Sequence, residues 1–151
     1  MQDPADIRGW QRLDPATTTS GRLEDADVDR LAAIGVRHVV NLALDDHPEA
    51  LADEAAKLAA AGIGYTHIPV PFDAPGAEHF GAFEAALDRA QGPVHVHCIM
   101  NWRVSAFFYR RNRAAGMDEA QASALMRTQW DPRRSDDPRA KIWADFIAGG
   151  Q

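Results

Sequence analysis

The chain has 151 residues, a formal net charge of −6, 46% hydrophobic and 25% charged residues, and one cysteine. That length suits one domain, which can bury roughly 70% of the surface its unfolded chain exposes and so needs neither disulfide nor metal to hold a core. The acidic balance speaks against nucleic acid as a partner, no apolar run approaches the ~18 residues of a membrane span, and a lone cysteine excludes a disulfide within the chain.

The opening Met1-Gln2-Asp3-Pro4 has neither the basic stretch nor the apolar segment of a signal peptide, so cytoplasmic residence is expected. Residues 1–16 read as an amino-terminal extension or edge strand, with a short strand over Ile7–Leu13. Ser20-Gly21 precedes a helical segment from about Glu24 to Ala33, stopped by Gly35. The β-branched run from Val36 to Leu44 predicts a strand. Helical spacing returns from about Pro48 to Ala61, with Gly62 as its cap. A second such strand runs from Tyr65 to Val70 and ends in prolines. The loop Phe72-Asp73-Ala74-Pro75-Gly76 leads to a helix over about Glu78–Ala90.

Gly92-Pro93 then punctuates, and Val94-His95-Val96-His97-Cys98 predicts a third strand. Helices are expected at about 103–115, 118–129 and 138–148, so that 117–151 forms a helical tail. Phe80, Phe83, Phe107 and Phe108 stand at helical spacings and read as core. Strands alternating with helices predict an α/β fold, with a central, mostly parallel sheet of four to five strands flanked by helices. The basic turn Arg110-Arg111-Asn112-Arg113 falls late in a helix, where the dipole favours cations.

Cys98 ends one of these strands, and a helix follows within about five residues. In an open α/β sheet, ligands bind where strand carboxyl ends meet helix amino-termini. Backbone N–H groups converge there, and the helix dipole favours anions and the thiolate form of a thiol. Arg103, at the far end of the loop, has a planar guanidinium that can hold two oxygens of a phosphoryl group at once. Of the two imidazoles in the strand, His95 reads as a buried ring hydrogen-bonded to backbone, and His97 as a group that orients the loop or stabilises the thiolate. Because successive strand side chains point to opposite faces, Cys98 diverges from both histidines, and no metal site is expected.

The run His97-Cys98-Ile99-Met100-Asn101-Trp102-Arg103-Val104-Ser105 resembles the phosphate-binding loop of the cysteine phosphatase superfamily. More narrowly, it is similar to small bacterial dual-specificity or tyrosine-phosphatase-like proteins, a group related to the phosphatase-like domain of beta-lactamase hydrolase-like proteins. Thr19-Ser20-Gly21, the VVNL strand, Asp53-Glu54, Tyr65-x-His67-Ile68-Pro69-Val70, Trp130-x-Pro132 and Trp143-x-x-Phe146-Ile147 carry the same resemblance.

The resemblance implies that Cys98 attacks a phosphate monoester and forms a phosphocysteine. Arg103 and the amides of Ile99, Met100, Asn101, Trp102 and Arg103 would hold the equatorial oxygens, and Asp73 would serve as the general acid, with Asp45, Asp46 and Glu78 in reserve. His97 and Ser105 would support Cys98. The expected partner is a phosphorylated substrate, protein or small molecule, or a phosphate or sulfate ion in the loop; no cofactor, nucleic acid or membrane is expected.

Three departures mark this chain. Four residues rather than five separate Cys98 from Arg103, Asn101 replaces a loop glycine, and Val104 follows Arg103 so that the hydroxyl is displaced to Ser105. Asn tolerates left-handed backbone angles next best after glycine. A short Cys-x4-Arg loop also occurs in rhodanese-like sulfurtransferases, whose cysteine carries a persulfide. The sequence lacks the Asp-Val-Arg strand end and Gly-His-Ile segment typical of those domains. A phosphate-binding pseudophosphatase is the remaining alternative.

Overall fold

A computed structural model of the chain describes residues 2–149. Its elements in order are β1 (Gln11–Asp14), β2 (Thr17–Ser20), α1 (Asp25–Ala33), β3 (His38–Asn41), α2 (Glu54–Ala60), β4 (Gly64–His67), α3 (Ala77–Arg89), β5 (Val94–His97), α4 (Trp102–Ala114), α5 (Glu119–Arg127), a 3₁₀ turn at Pro132–Arg134, and α6 (Ala140–Ile147). The five strands form one sheet in the order β1-β2-β5-β3-β4. β1 and β2 make an antiparallel hairpin at one edge, and the remaining pairings are parallel. The α/β architecture with a mostly parallel sheet is therefore the one the strand–helix alternation implies.

The elements differ from their expected spans in physically explicable ways. β2 is a strand that the polar run Thr17–Ser20 conceals, because its side chains satisfy buried neighbours and do not form an apolar stripe. The Val36–Leu44 strand contracts to β3. The Tyr65–Val70 strand is ladder only over β4, although Ile68 and Val70 still donate to the carbonyls of Asn41 and Leu42. The proline at position 69 has no N–H to contribute. Residues 48–53 are turns, and Asp53 adopts φ 55° immediately before α2, so that helix begins six residues later than its spacing suggests.

Each face of the sheet has its own core. Val39 packs with Val28, Leu31 and Leu58 under α1 and α2. Val40, Val94 and Val96 face α3, α4 and α6 on the other side. There Phe107 is fully buried, edge-on to Phe83 at 5.2 Å and stacked on Phe146 at 4.9 Å. Arg110 lies between the Phe80 and Phe146 rings, 4.7 Å from each, while Arg111 pairs with Glu84 and Asp88. The basic turn is thus spent largely on packing and on surface pairs.

A hydrogen-bonded cluster ties the tail to α4. Glu119 accepts from Ser123 Oγ (2.6 Å), Tyr109 Oη (2.8 Å) and Arg133 Nη1 (3.1 Å). The Ser123 and Tyr109 hydroxyls and the Arg133 guanidinium hold its carboxyl down to about 2. A carboxyl lowered by folding contributes stability that is present above its unfolded value, near 4.3, and lost as pH falls toward the folded one. The stability gap between wild type and Glu119→Gln, read as urea midpoints, should therefore be constant from pH 7 to 5 and close between about pH 4 and pH 2. Phe107→Ala should cost about 3–5 kcal/mol in the same assay at pH 7.

Candidate active site

The parallel register places Ser20, His97, Asn41 and His67 in one row at the carboxyl end of the sheet. Their side chains, with Thr18, His95 and Tyr65 further back, are polar and largely buried, and α2 lays Glu54 over them. Ser20 Oγ donates to the Gly21 carbonyl (2.8 Å) and therefore accepts from His95 Nε2 (2.8 Å). His95 Nδ1 must then accept from Thr18 Oγ1 (2.8 Å). The partners of His95 are thus side-chain hydroxyls, which corrects the expectation of backbone partners, and Trp10 stacks on its ring at 5.3 Å. Burial holds this imidazole well below its ordinary range, and the adjacent His97 adds to that.

His97 Nε2 lies 2.6 Å from Glu54 Oε2, and its Nδ1 lies 3.2 Å from the carbonyl of Cys98. Asn41 donates from Nδ2 to Tyr65 Oη (3.1 Å) and to Glu54 Oε1 (3.4 Å). Burial pushes the Tyr65 phenol up to about 12. Sequence reasoning placed Glu54 only within a familiar segment, not in the site. The signal that marks it is a buried acidic residue at the start of an alanine-rich helix, facing a strand with two imidazoles.

Cys98 follows β5 and crosses to the opposite face, at the floor of a cleft of about 520 Å³. Pro71, Phe72, Asp73, Ile99, Met100, Trp102, Arg103 and Arg139 line this cleft with Leu44, Asp46, His47 and Pro48. The structure thus brings Cys98, Arg103 and Asp73 to one cavity. Asp46 reaches it as well, whereas Asp45 and Glu78 are not among its walls.

Arg103 is nine-tenths buried, donates from Nη1 to the Val70 carbonyl (2.9 Å), and lies 5.8 Å from the Phe72 ring centroid. Among the described residues it has no carboxylate partner. A buried guanidinium without a counter-ion is costly to a fold. Among the described residues the amides of residues 99–104 donate to no carbonyl, as expected where a loop feeds the first turn of a helix.

The loop's shape is fixed from beneath. Asn101 caps α4 at φ 67° and ψ 12°, and its Nδ2 donates to the Gly9 carbonyl (2.8 Å) and Thr19 Oγ1 (3.0 Å). The Ile99 carbonyl accepts from the Arg22 amide (2.9 Å) and crosses Gly21 so closely that a Cβ there would lie 2.4 Å from its oxygen. Gly21 is thus a required close approach between two chain segments. Ser105 does not join the site: its hydroxyl donates to the Trp102 carbonyl (3.0 Å), and the side chain lines a small cavity under β1 and α5. One extra residue after Arg103 rotates the hydroxyl around the helix, away from Cys98.

The loop carrying Asp73 is held by the tail. Trp143 Nε1 donates to the Phe72 carbonyl (2.6 Å), and the Phe72 ring sits 5.5 Å from Trp143, 5.8 Å from Trp130 and 6.1 Å from Trp102. Asp73 itself is exposed at the cleft rim. Asn101→Ala should cost about 1–2 kcal/mol for the left-handed backbone alone and about 1 kcal/mol for each lost side-chain bond, read by urea denaturation.

Comparison with known proteins identifies the family and the fold. No curated protein matches the chain. Among solved structures, it is similar to a DUF442 protein of Shewanella putrefaciens CN-32, named as a candidate phosphatase. The two are 29% identical with a TM-score of 0.79, over 95% of this chain and 90% of that one. It shares its fold with P. aeruginosa TpbA, solved in complex with pTyr (22% identity, TM-score 0.73, 100% of this chain and 88% of that one). The fold also matches the core catalytic domain of the S. cerevisiae PP-IP phosphatase SIW14, in complex with citrate (13%, 0.74, 96% and 88%). Residues 10–116 match the phosphatase-like domain of beta-lactamase hydrolase-like proteins, and the chain belongs to that family.

Proposed function

We propose that the protein hydrolyses phosphate monoesters through a cysteinyl-phosphate intermediate. The observation that carries this reading is the buried, uncompensated guanidinium of Arg103 in one cleft with the Cys98 thiol and the unpaired loop amides. A phosphoryl group seated there meets donors oriented in advance, in a site largely shielded from water, where fixed dipoles act most strongly on the transition state.

The Cys98 thiolate attacks phosphorus as the ester P–O bond breaks. Asp73, entering as the carboxylic acid, gives its proton to the leaving oxygen. The same residue, now a carboxylate, takes a proton from water as that water attacks the phosphocysteine. Inorganic phosphate leaves and the thiolate is restored. With Ser105 directed elsewhere, departure of the sulfur relies on the loop amides and Arg103.

Substrate is limited by the walls. Phe72, Trp102, Met100 and Pro71 form an apolar rim, which suits a phosphate ester with an apolar or aromatic carrier. A cytoplasmic setting and a phosphoprotein or small phosphoester substrate remain part of this reading. Among the described residues no helix is long and apolar enough to cross a membrane.

Turnover of para-nitrophenyl phosphate should fall by at least about 10³-fold in Cys98→Ser and Arg103→Ala, the scale of losing a nucleophile or an essential anion donor. Equal activity in wild type and Cys98→Ser would overturn the nucleophile assignment. Asp73→Asn should lower kcat by about 10²-fold on alkyl phosphates and much less on the activated aryl ester. Sulfur transfer from thiosulfate to cyanide without phosphate release would establish the sulfurtransferase reading in its place.

A further inference from the structure

The pair under the catalytic loop has a proton arrangement that can be deduced. A carbonyl oxygen only accepts, so His97 Nδ1, 3.2 Å from the Cys98 carbonyl, carries hydrogen. At 2.6 Å, His97 Nε2 and Glu54 Oε2 share one further proton between them. Both side chains are about 5% exposed, so neither has water as a substitute partner. Glu54 Oε1 receives Asn41 Nδ2, which anchors the carboxyl to β3, while Asn41 Oδ1 accepts from the Ala43 amide (2.9 Å). The chain of contacts runs from Tyr65 through Asn41 and Glu54 to His97, and it ends on the peptide unit of the nucleophile.

A neutral histidine has two tautomers. Without Glu54, no other described residue bonds to Nε2 to select between them, and the Nε2–H form would set an imidazole lone pair against the Cys98 carbonyl. With Glu54, the Nδ1–H form is fixed.

We propose that Glu54 is a positioning residue for the Cys98 site: through its bond to His97 Nε2 it holds the ring as an Nδ1–H donor on the Cys98 carbonyl, and so sets the peptide that begins the anion loop. This rests on Cys98 being the reactive thiol. The loop amides can converge on an anion or a thiolate only if that first peptide has a fixed orientation. Loss of the donor lets it rotate and weakens thiolate stabilisation.

The charged and titratable groups around the pair and the cleft are few. His95 faces His97 from the same strand, with ring centroids 6.3 Å apart. Tyr65 and Asn41 face Glu54 from β4 and β3. Arg103 from α4, Asp46 and His47 after β3, Asp73 after β4 and Arg139 before α6 surround the cleft holding Cys98. Arg8 reaches the Ile99 carbonyl at 3.5 Å.

Because the chain has one cysteine, iodoacetamide alkylation followed by mass reports Cys98 without ambiguity and without requiring phosphate turnover. Glu54→Leu should move the midpoint of the alkylation pH profile up by about one pH unit, roughly a tenfold loss of rate below the midpoint. Glu54→Gln should restore the wild-type profile, since its amide N–H can donate to Nε2 and keep Nδ1–H in place. Adding His97→Gln to Glu54→Leu should shift the midpoint no further.

A Glu54→Leu profile that overlays wild type overturns the proposal, as does Glu54→Gln behaving like Glu54→Leu. Should Glu54→Leu fail to fold, nitrogen-15 histidine spectra of the wild type decide: His97 must keep its Nδ1 proton across pH 6–8, and an unprotonated Nδ1 refutes the assignment. The expected alkylation shifts in a protein that releases no phosphate from para-nitrophenyl phosphate would support the positioning role while refuting the hydrolase reading.

Discussion

Two imidazoles in the central strand of a parallel sheet impose a demand that the rest of the fold answers. Such strands are ordinarily apolar on both faces, because their side chains have no access to water. Here four ring nitrogens need partners, and three elements supply them: two hydroxyls of β2 for His95, and the carboxyl of α2 and the carbonyl of Cys98 just after the strand for His97. This explains why the inner strand of the hairpin is written in threonine and serine, and why α2 opens on a buried glutamate. The polar row is a cost in hydrophobic burial, offset by a strand end whose geometry is held from both sides.

That fixed end is where the proposed chemistry is placed. Cys98 turns away from the polar face into the cleft, and Arg103 returns from α4 with a charge that no carboxylate among the described residues neutralises. The close crossing of Gly21 and the Ile99 carbonyl, together with the Asn101 cap, prevents the short loop from relaxing. In this four-residue loop Asn101 takes the left-handed turn and α4 begins directly after it, at Trp102, which puts Arg103 in the first turn of the helix and in the same cleft as Cys98.

The fold class and the strand carrying Cys98 were legible because apolar β-branched runs and helical spacing have strong periods. Cys98, Arg103 and Asp73 were legible as residue types at turns after strands, and they do meet in one cleft. β2 was hidden, since a strand whose work is hydrogen bonding to a neighbour three strands later in sequence has no apolar signature. The reach of Ser105 was equally invisible: a hydroxyl one residue out of phase on a helix points elsewhere by about 100°, and only coordinates show what it finds. Glu54 needed the pairing of α2 with β5, which no local pattern contains.

The aromatic packing around Phe72 has a consequence for how this unit can be cut and joined. The family's matched region ends at residue 116, yet Trp130, Trp143 and Arg139, all beyond it, grip the segment that brings Asp73 to the cleft; Arg139 alone lies 4.3 Å over the Phe72 ring. The cup and its thiol belong to the shared region, whereas the seating of the opposite rim is supplied by the last thirty or so residues. A change in the carboxyl-terminal segment would therefore move the Asp73 loop relative to Cys98 while leaving the cup itself in place. In a fusion or a truncation, the boundary that preserves the sheet is not the boundary that preserves the spacing of Asp73 from Cys98.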